Sequence, residues 1–400
     1  MGKKKTIWLA FWILVLYITM AAYGAKIMIG MSVVFEEFDV PSFLNRGAIL
    51  FYGVVLFLLF LYHKYDNSVF GFGLFQALLF FTFLDFTSGI LNERPLQENL
   101  FKDGILVLSI LTYILAYNLY LMYPREGLIL QLSAIIVVIA LCAEYLVLSN
   151  GLRITFNHSS LHLGIVYIPL IFAPLLLLNN NKFSWLCIIL ILYVLFDSGK
   201  RGGLFDTIGG LLLYYHNIRG TIKMSKKLLA GLIFVLVILF AGGVVIEYMT
   251  DSTMIEQIVH GTDSSDYSSG RIDIMKDVLY KYWNSDAVGI FFGHGLGSVA
   301  EFSKEKVSAH NDFVEILFDF GIFGLISLLL FFLCFAKQVR RIPKRENKLK
   351  GTYMYALVVA LLMATVSHIF IYQYLCLFTF TWGALSGTYK QIQINQRKND

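Results

Sequence analysis

SAHNDFVEILFDFGIFG, Ser308 to Gly324, carries a long polar loop into an apolar span. The triplet His310-Asn311-Asp312 sits where that loop would meet a membrane surface. Upstream lies a glycine-rich turn, GHGLG (Gly293 to Gly297), and before it Arg271 opens an amphipathic stretch. The apolar remainder reads as a helical scaffold that holds this loop in place.

The composition excludes an ordinary soluble protein. Hydrophobic residues make up 58% of the chain and charged residues 15%, against about 25% charged in soluble domains. The apolar residues fall in blocks long enough to cross about 30 Å of hydrocarbon. Lipid-exposed backbone must satisfy its own hydrogen bonds, and the alternation of a barrel is missing, so the spans are predicted to be helices. The fold class is all-α, a polytopic membrane protein with about twelve spans, at 6–24, 47–63, 69–91, 103–122, 127–149, 161–178, 183–198, 201–217, 228–247, 316–336, 352–371 and 373–390. The N-terminal MGKKKTIWLAFWILVLYITMAAYG resembles a signal peptide, but its apolar run is longer than a cleaved core and reads as the first span. Three parts follow: spans at 1–247, a loop at 248–311, and spans with a tail at 312–400.

Charge distribution orients these spans. With the N-terminus cytoplasmic, 20 of the 32 lysines and arginines fall in cytoplasmic segments, 7 in short external loops and 5 in the long loop. The densest clusters, Arg219 to Lys227 and Lys337 to Lys350, share the cytoplasmic side. Both termini are therefore expected inside and residues 248–311 outside. The net charge of +5 tracks topology and implies no nucleic-acid partner. Cys142, Cys187, Cys334 and Cys376 all lie in apolar segments and read as packing residues.

Within the loop, Ile272, Met275, Val278, Leu279, Tyr282 and Trp283 recur at helical spacing between charged residues, as in a helix lying along a membrane interface. Four features there and nearby carry potential chemistry. SGKRGG, Ser198 to Gly203, sets Lys200 and Arg201 at a tight hairpin. It reads either as a phosphate clamp aided by a helix N-terminus, or as a turn whose cations snorkel to lipid phosphates. Arg271 offers a two-pronged grip on a pyrophosphate; otherwise it is a surface charge paired with Asp273 or Asp266. GHGLG follows no strand, which excludes a dinucleotide fingerprint and leaves a close backbone approach to substrate or an ordinary turn. In the fourth, Asp312-x-x-Glu315 matches a capping box, and Asn311 is an alternative cap. Capping leaves His310 unexplained, and an imidazole suits proton transfer near neutral pH. His260 and His294 share the loop with His310, but at spacings irregular for a metal site. Asp85, Glu144, Asp197, Asp206, Glu247 and Asp319 lie on or beside the spans, where ionisable groups usually face a bundle interior or cavity. Asp197 and Asp206 flank Lys200 and Arg201 and can neutralise them.

In their order, the S-x-x-R-G-G hairpin, the large external loop, the S-G-R that opens a helix, the G-x-G-x-G turn and AHNDFVEIL with GIFGL resemble the O-antigen polymerase and O-antigen ligase superfamily. The resemblance covers roughly residues 190–335. It implies a GT-C-like, inverting, metal-independent glycosyltransferase of the bacterial cytoplasmic (inner) membrane, with an extracytoplasmic active site and no cofactor. The donor would be an undecaprenyl-pyrophosphate-linked oligosaccharide and the acceptor another lipid-linked sugar. A chain-length regulator and a flippase would be partners. By that resemblance Arg201 and Arg271, with Lys200 beside them, meet the pyrophosphate and His310 meets the acceptor hydroxyl. Asn311, Asp312, Glu315 and Gly295 are in support. Lys200 departs from the small residue usual there. A polymerase of O-antigen, capsular or exopolysaccharide repeats is the favoured reading; a ligase to lipid A-core and a flippase for lipid-linked oligosaccharide are the alternatives.

Overall fold

Long apolar runs with few helix breakers dictate what forms, and every described element is helical. The computed structural model describes residues 66–93, 96–122, 132, 134–143, 145–146, 167–179, 182–198, 201–218, 271–303, 308–366, 369–370 and 374–397. The expected spans 6–24, 47–63 and 228–247 lie outside the described residues, as do Glu144, Glu247, His260 and Asp266. In chain order the helices are α1 (Gly73–Leu91), α2 (Leu96–Met122), α3 (Ala134–Ala143), α4 (Tyr167–Asn179), α5 (Lys182–Asp197) and α6 (Arg201–Ile218). Then come α7 (Arg271–Trp283), α8 (Ala287–Phe292), α9 (Ser298–Phe302), α10 (Asp312–Arg341), α11 (Asn347–Val366) and α12 (Tyr374–Arg397). Among them α1 and α10 are long and apolar enough to cross a membrane; Leu106–Leu121, Ala134–Ala143 and Pro169–Leu178 are shorter apolar helices.

The expected span at 69–91, which carries the buried Asp85, is one continuous helix after a 3-10 turn at Asn67–Gly71. The hairpin between α5 and α6 is also where it was expected. Ser198 ends α5 there, with its N–H donated to Val194 O (3.0 Å) and its hydroxyl to Leu195 O (3.0 Å). Among the boundaries that differ from the hydropathy, two have a visible cause. Helix α11 ends at Val366 rather than 371, because the N–H groups of Ile369 and Phe370 turn out of the helix to the Asp312 carboxylate (2.7 and 3.3 Å). Helix α12 runs past 390 to Arg397, since its polar end still favours helix after apolarity stops.

Three pairings build the bundle. Helix α12 lies along α2, where a Cβ at Gly383 or Gly387 would run into the carbonyl oxygens of Tyr113 and Tyr117. This is the close backbone approach that small residues four apart permit. Across the same seam the Tyr113 hydroxyl donates to Ser386 Oγ (2.7 Å), while Gln338 Nε2 of α10 reaches Tyr353 Oη of α11 (2.7 Å). Helices α6 and α11 pair antiparallel, with Gly351 against Tyr214 and Ile218, Gly210 against Tyr355 and Gly209 against Leu362. That pairing brings the Arg201 end of α6 to the Val366 end of α11. Helix α10 packs along α1.

The 316–336 span was expected to be unbroken, but α10 is broken. Gly321, with φ 66° and ψ −162°, interrupts its thirty residues. The second part, 322–341, presents Ile322, Phe323, Ile326, Leu329, Leu330 and Leu333 as exposed apolar side chains, whereas Asp312, Glu315, Ile316, Phe318, Asp319 and Phe320 of the first part are buried.

Candidate functional site

A helix break leaves carbonyls without their usual partners, and buried carbonyls must find others. Here the GHGLG turn supplies them. His294 N donates to Phe318 O (3.0 Å) and Gly295 N to Asp319 O (2.7 Å). Ser88 Oγ of α1 donates to the same Asp319 carbonyl (3.1 Å), and Asn92 Nδ2 donates to Gly293 O (2.9 Å). The two backbones cross at Gly293 (φ 71°) and Gly321. A Cβ on Gly293 would strike the Asp319–Phe320 peptide, and one on Gly321 the Phe291–Phe292 peptide. The Asp319 carboxylate accepts from Gly297 N (2.6 Å) and Ser298 N (3.0 Å) at the start of α9. The close approach that these glycines allow is therefore to α10, with Gly295 supporting the turn.

Helix α7 packs into this platform rather than lying free on its apolar side. Its buried residues are Ile274, Val278 and Tyr282, which meet Val299, Ala309 and Phe318 in a small core of the loop. Trp283 (70% exposed) and Tyr280 (71% exposed) face away. Of the expected apolar set, Val278 and Tyr282 are buried and Met275 packs against that core, while Ile274, outside the set, is buried as well. Burial pushes the Tyr282 phenol up, and its hydroxyl donates to Ile290 O (2.8 Å). His294 stacks on Phe318 (4.6 Å between centroids), with Ser285 Oγ at 2.8 Å from its Nε2. The described residues contain no group of three or more His, Cys, Asp or Glu placed to hold a metal ion.

His310 follows Ala309, which is buried in the loop core, and precedes α10. Its φ is +52°, a left-handed backbone found among the described non-glycine residues only here and at Glu93. Left-handed conformations cost an L-residue about 1–2 kcal/mol and persist where surroundings over-determine them. Those surroundings are visible. His310 N donates to Glu315 Oε1 (3.0 Å). Asn311 is the N-cap, its Oδ1 accepting from Val314 N (3.1 Å), while its Nδ2 donates to Thr365 O (3.0 Å). Asp312, the other candidate cap, instead holds Ile369 and Phe370 through its carboxylate. The capping-box expectation is corrected by one residue, because Asn311 takes the cap and Asp312 is drawn toward the 369–370 backbone.

The site elements therefore converge at one end of the bundle. The first turn of α7, opening on Arg271, sets Ile274 in the core that also holds Ala309 beside His310. Thr365 O, bound by Asn311, ends the helix that brings α6 and its first residue, Arg201, to the same end. Lys200 and the side chains of Arg201 and Arg271 lie outside the described residues. Asp197 accepts from the Tyr145 hydroxyl (2.9 Å), and Asp206 is buried on α6.

Apolar helices, a polar loop locked onto a broken helix and a strained histidine at the junction define a membrane protein, all-helical among its described residues, with a candidate site at one end. Residues 186–329 match the family model described as O-antigen ligase. That match bears out the resemblance to the O-antigen polymerase and ligase superfamily over those residues, and the apolar helices fit a membrane protein. No curated protein matches the chain.

Proposed function

We propose that the chain is a repeat-unit polymerase, a metal-independent inverting glycosyltransferase acting on an undecaprenyl-pyrophosphate-linked donor at the outer face of the bacterial inner membrane. The single observation that carries this is His310, held left-handed by hydrogen bonds between the helix that opens on Arg271 and the end of the bundle where Arg201 begins α6. Strain of this kind concentrates at functional sites. An acceptor-sugar hydroxyl attacks the anomeric carbon from the face opposite the pyrophosphate. His310 takes the hydroxyl proton as the new C–O bond forms. The old C–O bond breaks, its electrons pass to the leaving pyrophosphate, and Arg201, Arg271 and Lys200 meet the developing charge.

In this reading the protein has about twelve GT-C-like spans with both termini cytoplasmic, and residues 248–311 form the extracytoplasmic catalytic loop. A flippase delivers its substrate and a chain-length regulator sets its product. The description of the matching family favours a second reading, a ligase transferring glycan to lipid A-core. Glycans from a strain deleted for this gene separate the two. Single repeats attached to core indicate a lost polymerase; bare core with polymer on the carrier lipid indicates a lost ligase. Unaltered surface glycan would sink both.

Arg201→Lys is expected to lose about tenfold or more of transfer. Lysine keeps the charge but not the two-point fork, and one charge-assisted hydrogen bond is worth about 1.5–3 kcal/mol. Full activity in a polymer assay would reduce Arg201 to a point charge.

A further inference from the structure

Glu315 is buried, yet helix capping does not account for it. Its own N–H makes the ordinary helical bond to Asn311 O (3.0 Å), and Asn311 already caps α10. The Glu315 carboxylate reaches past the cap, to the N–H of His310 and the backbone of Ala309. Neither group belongs to the helix. Burying a carboxylate is costly unless donors compensate it, so these bonds are what hold the acid there. Their geometric effect is specific. With its N–H tied back to the first turn of α10, His310 keeps φ at +52° and its imidazole leaves the chain before the helix begins. On the other side, Asn311 and Asp312 tie the next two residues to Thr365, Ile369 and Phe370. A residue clamped on both sides has no other backbone conformation open to it.

We propose that Glu315 is a positioning residue, whose carboxylate fixes the left-handed backbone of His310 and thereby aims the imidazole at the acceptor hydroxyl. This inference rests on the transfer reading above. Reach, rather than charge, is what it requires. Glutamine keeps an acceptor oxygen at the same distance from the backbone; aspartate keeps the carboxyl group but is one methylene short.

The test uses the full chain in nanodiscs, with lipid-linked repeat units extracted from a strain deleted for this gene. Glu315→Gln is expected to keep kcat within about threefold, while Glu315→Asp loses about tenfold to a hundredfold, the scale of a misplacement near 1 Å. Donor KM should move less than about twofold in either variant, since the pyrophosphate contacts are elsewhere. An active Glu315→Asp beside a dead Glu315→Gln would assign the residue to charge and overturn the proposal. So would equal activity of Glu315→Asp and the unaltered protein. A measurement on the unaltered chain guards against variants that fail to fold: the His310 amide should exchange with deuterium as slowly as the amides of α10, and exchange at loop rates overturns the clamp. A fully active His310→Ala would sink the transfer reading itself; an inactive one beside a fully active Glu315→Asp sinks only the positioning role.

Discussion

His310→Ala is expected to lower glycan transfer by about 10²- to 10⁴-fold, the range contributed by a positioned general base, with the protein still present in the membrane. The clamp acts on the backbone around His310, through its N–H and through Asn311 and Asp312. None of those bonds needs the imidazole. Alanine does add a small conformational cost, because histidine and asparagine tolerate φ near +52° better than alanine does. His310→Asn removes that ambiguity by keeping the tolerance and losing the base. Arg271→Ala should give the same phenotype from the donor side, through loss of the grip on the leaving pyrophosphate. All three are read on gels of surface polysaccharide, with membrane abundance measured in parallel. Normal ladders from the alanine variants would remove the enzymatic reading.

Gly321→Ala is expected to cost folded protein. At φ 66° and ψ −162° the backbone is in a region essentially reserved for glycine, worth about 1–3 kcal/mol to any other residue. Space adds to that penalty. The new methyl would meet the Phe291–Phe292 backbone, which has no rotamer to change, so α8 must separate from α10. Separation would in turn unmake the bonds from His294 and Gly295 to the Phe318 and Asp319 carbonyls. The expected result is a melting temperature several degrees lower in detergent, or failure to accumulate. Gly293→Ala should behave alike from the opposite strand of the crossing. Wild-type stability in both would mean that the crossing is not what holds loop and helix together.

Much of this architecture was legible in hydropathy. All nine expected spans that fall at least in part among described residues have a helix whose bounds lie within about seven residues of the expected ends. The ends that moved did so for reasons hydropathy does not contain: a distant carboxylate capturing N–H groups at 369–370, and polar residues that still favour helix beyond 390. The face of α7 was legible only in part because eight apolar or aromatic residues on a thirteen-residue helix surround most of its circumference. Which ones are buried is decided by Val299, Ala309 and Phe318, residues the local pattern cannot see. The break at Gly321 was hidden for the same kind of reason. Glycine is common in apolar spans, and the cause of this one is another glycine twenty-eight residues earlier. His310 stood out in the sequence as the residue that capping left over. Its strain, and the part played by Glu315, required backbone angles.

The loop's small core takes one of its members, Phe318, from α10, which follows it in the chain. Residues 271–303 consequently lack the material to finish their own interior when they first leave the ribosome. Completion waits for a helix synthesised afterwards, so this end of the molecule matures only after α10 has been made.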